Sequence, residues 1–177
     1  MINLRKATHS DLKALHEVGC ETYRQHFSML WSPAAMQDFL DQDFSPSALS
    51  QSLELPTRHL WLLAAEGSGQ VIGFAKVNWS TPAPLTGVVG AELQKIYLLK
   101  SASGRGYGRQ LLQFIRDEAT ARGEHLLWLD VLKNNADAQR FYEAFGFQRI
   151  GEIPFNTDLA EIGMVVMGLE LQQTIAC

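Results

Sequence analysis

Residues 2–7, INLRKA, alternate apolar and polar as a short half-buried strand does, and from Thr8 the period changes. Leu12, Leu15, Val18 and Thr22 then recur three or four apart, the spacing of one helix face. Ser32 followed by Pro33 predicts a second helix, because the hydroxyl can cap free N–H groups and the proline ring already holds a helical φ; Met36, Phe39 and Leu40 form its apolar side. PSALSQSLE predicts a short third helix closed by Pro56. HLWLLAAE and QVIGFAKVNW flank GSG and predict a hairpin, whereas TPAPLTG, with two prolines that a central strand would reject, predicts a loop. AELQKIYLL is a further strand. Leu111, Leu112, Ile115 and Ala119 stripe a helix that Gly123 can end, HLLWLDVL reads as a strand, NADAQRFYEAF as a helix ending at Gly146, and FQRIGEI and GMVVMGLEL as two last strands. Helices alternate with strands while hairpins occur at both ends, so the expected class is α/β (α+β) with a mixed, mainly antiparallel sheet.

At 177 residues and 46% hydrophobic content the chain can bury one core, and residues 1–177 are expected to form a single domain. No apolar run approaches the roughly 20 residues needed to span a bilayer, and MINLRKATHSDLKAL lacks the apolar stretch of a secretory signal, which predicts a soluble cytoplasmic protein with no membrane contact. Cys20 and Cys177 cannot build a disulfide framework, and neither they nor His9, His16, His26, His59 and His125 show metal spacing, so no metal is expected. A net charge of -4 argues against nucleic-acid binding. The charges are also segregated. Asp11, Glu17, Glu21, Asp38, Asp41, Asp43 and Glu54 face only Lys13 and Arg24 in the segment 11–54, whereas Lys95, Lys100, Arg105 and Arg109 lie in a stretch without acids. One region suits a cation and the other an anion, unless each is simply a solvated face.

The stretch SGRGYGRQLLQFI puts Gly104, Gly106 and Gly108 between a strand and an amphipathic helix, where bare backbone N–H groups at the positive end of the helix dipole can cradle a phosphate. Gly108 is followed by Arg109 and Gln110 rather than Lys-Ser/Thr, which excludes a P-loop, and Arg109 stands where a dinucleotide fingerprint needs its third glycine. The order strand, glycine turn, helix, HLLWLDVL, NNADAQRFYEAFGF resembles the GNAT superfamily of N-acetyltransferases. Its two motifs match at Gly106 and Gly108 and at Asn135, Ala138, Phe141, Tyr142, Gly146 and Phe147, with Ser103 where the family prefers Gln or Arg.

That resemblance implies a six- to seven-stranded sheet with a splay between two central parallel strands, and acetyl-CoA as cosubstrate. The diphosphate would lie on the amides of Gly104, Arg105, Gly106, Tyr107, Gly108, Arg109 and Gln110, and the pantetheine beside Ile96, Tyr97 and Leu98, with Asn135 bonding the pantetheine or capping its own helix. It also implies Glu92 as the base, acting directly or through water, backbone N–H groups around Ile96 to Leu98 as oxyanion donors, and Tyr142 as the acid. The run from Cys20 to Glu54, with IGFAKVN and AELQKIYL, is similar to the PaiA-type spermidine/spermine acetyltransferases, although Gly163 and Met164 replace a Thr-Asp pair of that group. A small-molecule amine, most simply a polyamine held by Glu21, Asp38, Asp41 and Asp43 and acetylated by direct attack in a ternary complex, is therefore expected. A protein N-terminal or lysine acetyltransferase and a non-catalytic acyl-CoA sensor are the competing readings, and the resemblance also admits a homodimer.

Overall fold

The computed structural model describes residues 1–172, so Cys177 lies outside the described residues. Strands β1 (Ile2–Lys6), β2 (His59–Glu66), β3 (Val71–Pro82), β4 (Val89–Leu98), β5 (Leu126–Leu132), β6 (Gln148–Ile153) and β7 (Met164–Glu170) form one sheet in the order β1-β2-β3-β4-β5-β7-β6. Helices α1 (Leu12–Phe27), α2 (Pro33–Phe44) and α3 (Pro46–Leu53) cover one face, and α4 (Tyr107–Ala121) and α5 (Ala136–Phe145) the other. Strand alternation serves both layers. Trp61, Leu63 and Phe74 pack under α1–α3, while Leu62, Ala75, Val77, Leu127 and Leu129 meet Leu111, Leu112 and Ile115 of α4.

All pairings are antiparallel except β4 with β5, and that parallel pair is held at two positions only, Ala91 opposite Leu127 and Glu92 opposite Trp128. The expected splay is therefore present. Its local cause is a bulge in β4: Lys95 pairs with Lys76 but Leu93 pairs with Val77, which leaves Gln94 as an extra residue and bends the strand away from β5.

One expected loop starts as strand. β3 runs on to Pro82, opposite Val89, and only residues 83–88 turn. Proline is tolerated because β2 ends at His59, opposite Asn78, so no strand awaits the N–H that Pro82 lacks. A second irregularity sits before it, where Ser80 takes a φ of 48° and donates its N–H to the Glu124 carboxylate at 2.8 Å.

At the start of the chain Asp11 ties β1 to α1. Its carboxylate accepts two bonds from the Arg5 guanidinium, at 2.6 and 2.8 Å, and one from the Thr8 N–H at 2.9 Å. Those bonds, Arg5 first, hold its pKa down at about 2. A carboxylate with a depressed folded-state pKa stabilises above its ordinary range, and the contribution disappears as pH falls through about 2. Asp11→Asn is expected to cost about 1–3 kcal/mol at neutral pH. In thermal melts the variant should melt about 5 °C lower at pH 7, and the gap to the parent should close as pH approaches 2.

Candidate active site

The splay exposes backbone. Leu99 N–H bonds to Ile72 C=O, so in the antiparallel ladder Tyr97 and Lys95 also turn their backbone groups towards β3, while Ile96 and Leu98 turn theirs into the slot between β4 and β5. Of the trio Ile96, Tyr97 and Leu98, the middle residue is thereby removed from the slot. The Tyr97 ring lies instead among Tyr23, Phe27 and Phe74, where burial pushes its phenol well above the usual range. The Leu98 carbonyl accepts a hydrogen bond from His26 Nε2 at 2.7 Å.

Beyond Leu98 a 3-10 turn, Lys100–Ala102, leads into the glycine stretch. Gly104 and Gly106 have φ of 75° and 77°, and a Cβ at either would project into open space. The need for glycine there is conformational, and the approach to the backbone is clear. Gly106 caps α4, so its N–H and those of Tyr107, Gly108 and Arg109 have no intrahelical acceptor and point out of the helix start. Gln110 is different, because its N–H bonds to Gly106 C=O at 3.3 Å, which takes it out of the cradle. Arg105 pairs with Glu66 at 2.5 Å and lies over the Tyr107 ring, Arg109 lies over Phe145, and the Tyr107 side chain is buried. Asn135 spends its side chain on its own helix, accepting the Ala138 N–H at 3.1 Å. Lys95 does not belong to this basic patch: it is 7% exposed, paired with Asp43 at 2.6 Å, and stacked over Phe39 and Phe44 on the opposite face.

That opposite face carries the polar chemistry. Where α1–α3 end, the sheet surface presents His59, Lys76, Asn78, Glu92 and Asp130, all on the side of Trp61 and Trp128 by register. Glu92 accepts from Asn78 Nδ2 at 2.8 Å, and Asn78 Oδ1 meets His59 Nδ1 at 2.7 Å. Asp130 stands across the splay from Glu92. Burial first and Glu92 second raise its pKa, and Lys95 opposes them. Tyr142 of α5, edge-on to Phe141 and Phe147, is pushed above the phenol range by burial and then by Asp130, so it stays protonated.

The profile of the acetyltransferase (GNAT) family matches residues 15–147. The chain belongs to that family. It is similar to an uncharacterized N-acetyltransferase from the pepI 3' region of Lactobacillus delbrueckii subsp. lactis, 27% identical over 155 residues that make up 87% of this chain and 88% of the relative. Among solved structures, ribosomal-protein-alanine N-acetyltransferase from Brucella melitensis superposes with a TM-score of 0.76 at 26% identity, covering 96% of this chain and 99% of the other. The PaiA N-acetyltransferase of Thermoplasma acidophilum, solved with coenzyme A, gives 0.74 at 21% identity, covering 96% and 99%. The protein is thus an acetyl-CoA-dependent N-acetyltransferase with the fold expected of it.

In this acetyltransferase the acids of the arm lie mostly at the surface. Asp38 and Asp41 occupy the solvent side of α2, the latter accepting from Gln37 at 2.8 Å, and Glu21 is exposed on α1 and bonded to Gln25. Asp43 turns inward, to Lys95, as Asp11 does to Arg5. The acids of the floor are Glu92 and Asp130. Asp130, His59 and Asn78 were not singled out from the sequence, although an aspartate interrupting the apolar run of LLWLDVL was a visible sign for the first. Trp31 meets Phe155 edge-on with ring centres 6.2 Å apart, and the Ser32 N–H donates to Asp158 at 3.1 Å. The loop between α1 and α2 therefore touches the one between β6 and β7. Among the described residues no cluster of three or more His, Cys, Asp or Glu could hold a metal ion, and no helix is long and apolar enough to cross a membrane.

Any side chain at 106 must adopt a left-handed conformation that disfavours it by about 1–2 kcal/mol. Gly106→Ala is accordingly expected to raise the KM for acetyl-CoA about tenfold while kcat at saturating acetyl-CoA changes little. Steady-state kinetics with acetyl-CoA as the varied substrate reads both.

Proposed function

We propose that this enzyme acetylates a primary amine on a compact small molecule, by direct attack in a ternary complex, with spermidine and spermine as first acceptors. Acetyl-CoA supplies the acetyl group as a thioester. The N–H groups from Gly104 to Arg109, with the charge of Arg105 and Arg109, suit its diphosphate, and the outward backbone of Ile96 and Leu98 suits its pantetheine.

An alkyl amine titrates near pH 10, so it arrives as an ammonium and must lose a proton before it can attack. Glu92 takes that proton, directly or through water, and Asp130 across the splay holds the ammonium beside it. The Ile96 and Leu98 N–H groups are fixed donors for charge developing on the acetyl oxygen, and they need no reorganisation during the reaction. Tyr142 donates to the departing sulfur. The observation that carries this reading is convergence: one gap in the sheet gathers unpaired backbone, a carboxylate pair and a protonated phenol from β4, β5 and α5.

The Trp31–Phe155 contact and the Ser32–Asp158 bond support a slim acceptor over a polypeptide, whose chain must continue out of the site. Glu92 and Asp130 on the floor support a cationic acceptor. Glu21, Asp38 and Asp41, standing outside, contribute only a field that draws a polycation in. Lys76 supports a second reading, an acceptor with a carboxylate beside its amine: it stacks over Trp61 at 5.2 Å and makes no ion pair among the described residues.

A CoA-release assay with spermidine, spermine, putrescine, lysine, methionine and short peptides separates these. Preferential turnover of spermidine or spermine is expected. Preference for the amino acids would favour the Lys76 reading, and activity confined to peptides would overturn the compact acceptor. Tyr142→Phe should lower kcat by about 100-fold or more and leave the KM for acetyl-CoA within about twofold; an unchanged kcat would remove Tyr142 from the acid role.

A further inference from the structure

His59, Asn78 and Glu92 are direct cross-strand partners on three adjacent strands, and their side chains form one hydrogen-bonded row across the acceptor face. We propose that Asn78 and His59 are positioning residues for Glu92, fixing which carboxylate oxygen meets the amine. The inference rests on the reading of Glu92 as proton acceptor.

The polarity of the row follows from its chemistry. An ionised carboxylate only accepts, so the group facing Glu92 Oε2 is the Asn78 amide NH₂. Asn78 Oδ1 then faces His59 and requires a donor there, which places the imidazole proton on Nδ1. Burial lowers the His59 pKa, so near neutral pH the ring is uncharged in that single tautomer. Protonation at lower pH adds charge at Nε2 without breaking the bond to Asn78. An asparagine cannot pass a proton along such a row, so His59 acts by holding the amide. Oε2 is thereby engaged, and Oε1 is left for the amine.

The other ionisable groups facing Glu92 are Lys76 on β3, Lys95 on β4 with its partner Asp43 on α2, and Asp130 on β5. None of them is bonded to Glu92 among the described residues. The Asn78 bond is what gives the carboxylate a direction as well as a place.

The test uses the intact enzyme, acetyl-CoA and the most active amine of the panel. Asn78→Ala is expected to lower kcat on the order of 10- to 100-fold, the range a small misplacement of a reacting group produces, with the KM for acetyl-CoA unchanged. In a Glu92→Gln background the same substitution should change kcat by less than about twofold, because its target is gone. His59→Leu should lose part of the activity and His59→Gln recover it, since a glutamine N–H can still reach the Asn78 oxygen. Asn78→Asp keeps the shape but sets a second negative charge against Glu92, so the acid limb of the kcat/KM profile should move to higher pH.

A crippled Glu92→Gln beside an unaffected Asn78→Ala would overturn the proposal, as would a full Asn78→Ala effect in the Glu92→Gln background. Unchanged kcat and pH profile in Glu92→Gln alone would remove the base reading, and the positioning role with it. Asn78→Asp keeps the test valid if Asn78→Ala does not fold.

Discussion

The geometry of the site depends on one imperfection in the sheet. Strands β4 and β5 share two registered positions and then part, because Gln94 is inserted into β4 without a partner in β3. A perfect parallel pair would have consumed the backbone groups of Ile96 and Leu98 in a ladder and closed the face between Glu92 and Asp130. The bulge leaves those groups outside the ladder, and all but the Leu98 carbonyl, which His26 holds, are open to an extended ligand that completes them as a strand would. The glycine cradle that follows makes use of the same opening, since it lies one short turn beyond the free end of β4.

A second constraint fixes the acceptor side. Lys95 is buried beneath α2, gripped by Asp43 and flanked by the faces of Phe39 and Phe44. Removing a charge from water is costly, and the carboxylate, the two rings and the short distance offset it. The pair is better understood as a register pin than as a source of stability. It sets Asp43 inward and, through the helical repeat, sends Asp38 and Asp41 outward. Within the segment 11–54, Asp11 and Asp43 are thus spent on Arg5 and Lys95, whereas Glu21, Asp38 and Asp41 stay at the surface.

These two features divide the labour between the faces of one sheet. The face under α4 and α5 is apolar almost throughout and stiffens the cradle, with Leu111, Leu112 and Ile115 fully buried. The other is apolar only under α1–α3, and turns polar where those helices end. Tyr142 comes from α5 on the first side and Glu92 lies on the second, with Asp130 close enough to influence both across the splay.

Much of this was legible in the chain, and for a physical reason. Helix stripes, caps and strand alternation are local, so the elements, the Ser32 and Asn135 caps, the left-handed glycines and the helix start they expose follow from residues a few positions apart. The splay itself was expected only through the family resemblance carried by the motifs around Gly106 and Tyr142. What the sequence could not decide was juxtaposition. His59, Asn78 and Glu92 are separated by 19 and 14 positions and meet only because strand register puts them opposite one another. Lys95 carries the same charge as Arg105, yet one is buried and the other exposed: a bulge one residue long sets Lys95 on the face of β4 that α2 covers, while Arg105 stands in the turn before α4. Whether an acid serves a substrate, a neighbouring lysine or only the solvent is decided by packing, which brings distant residues together and has no period to read.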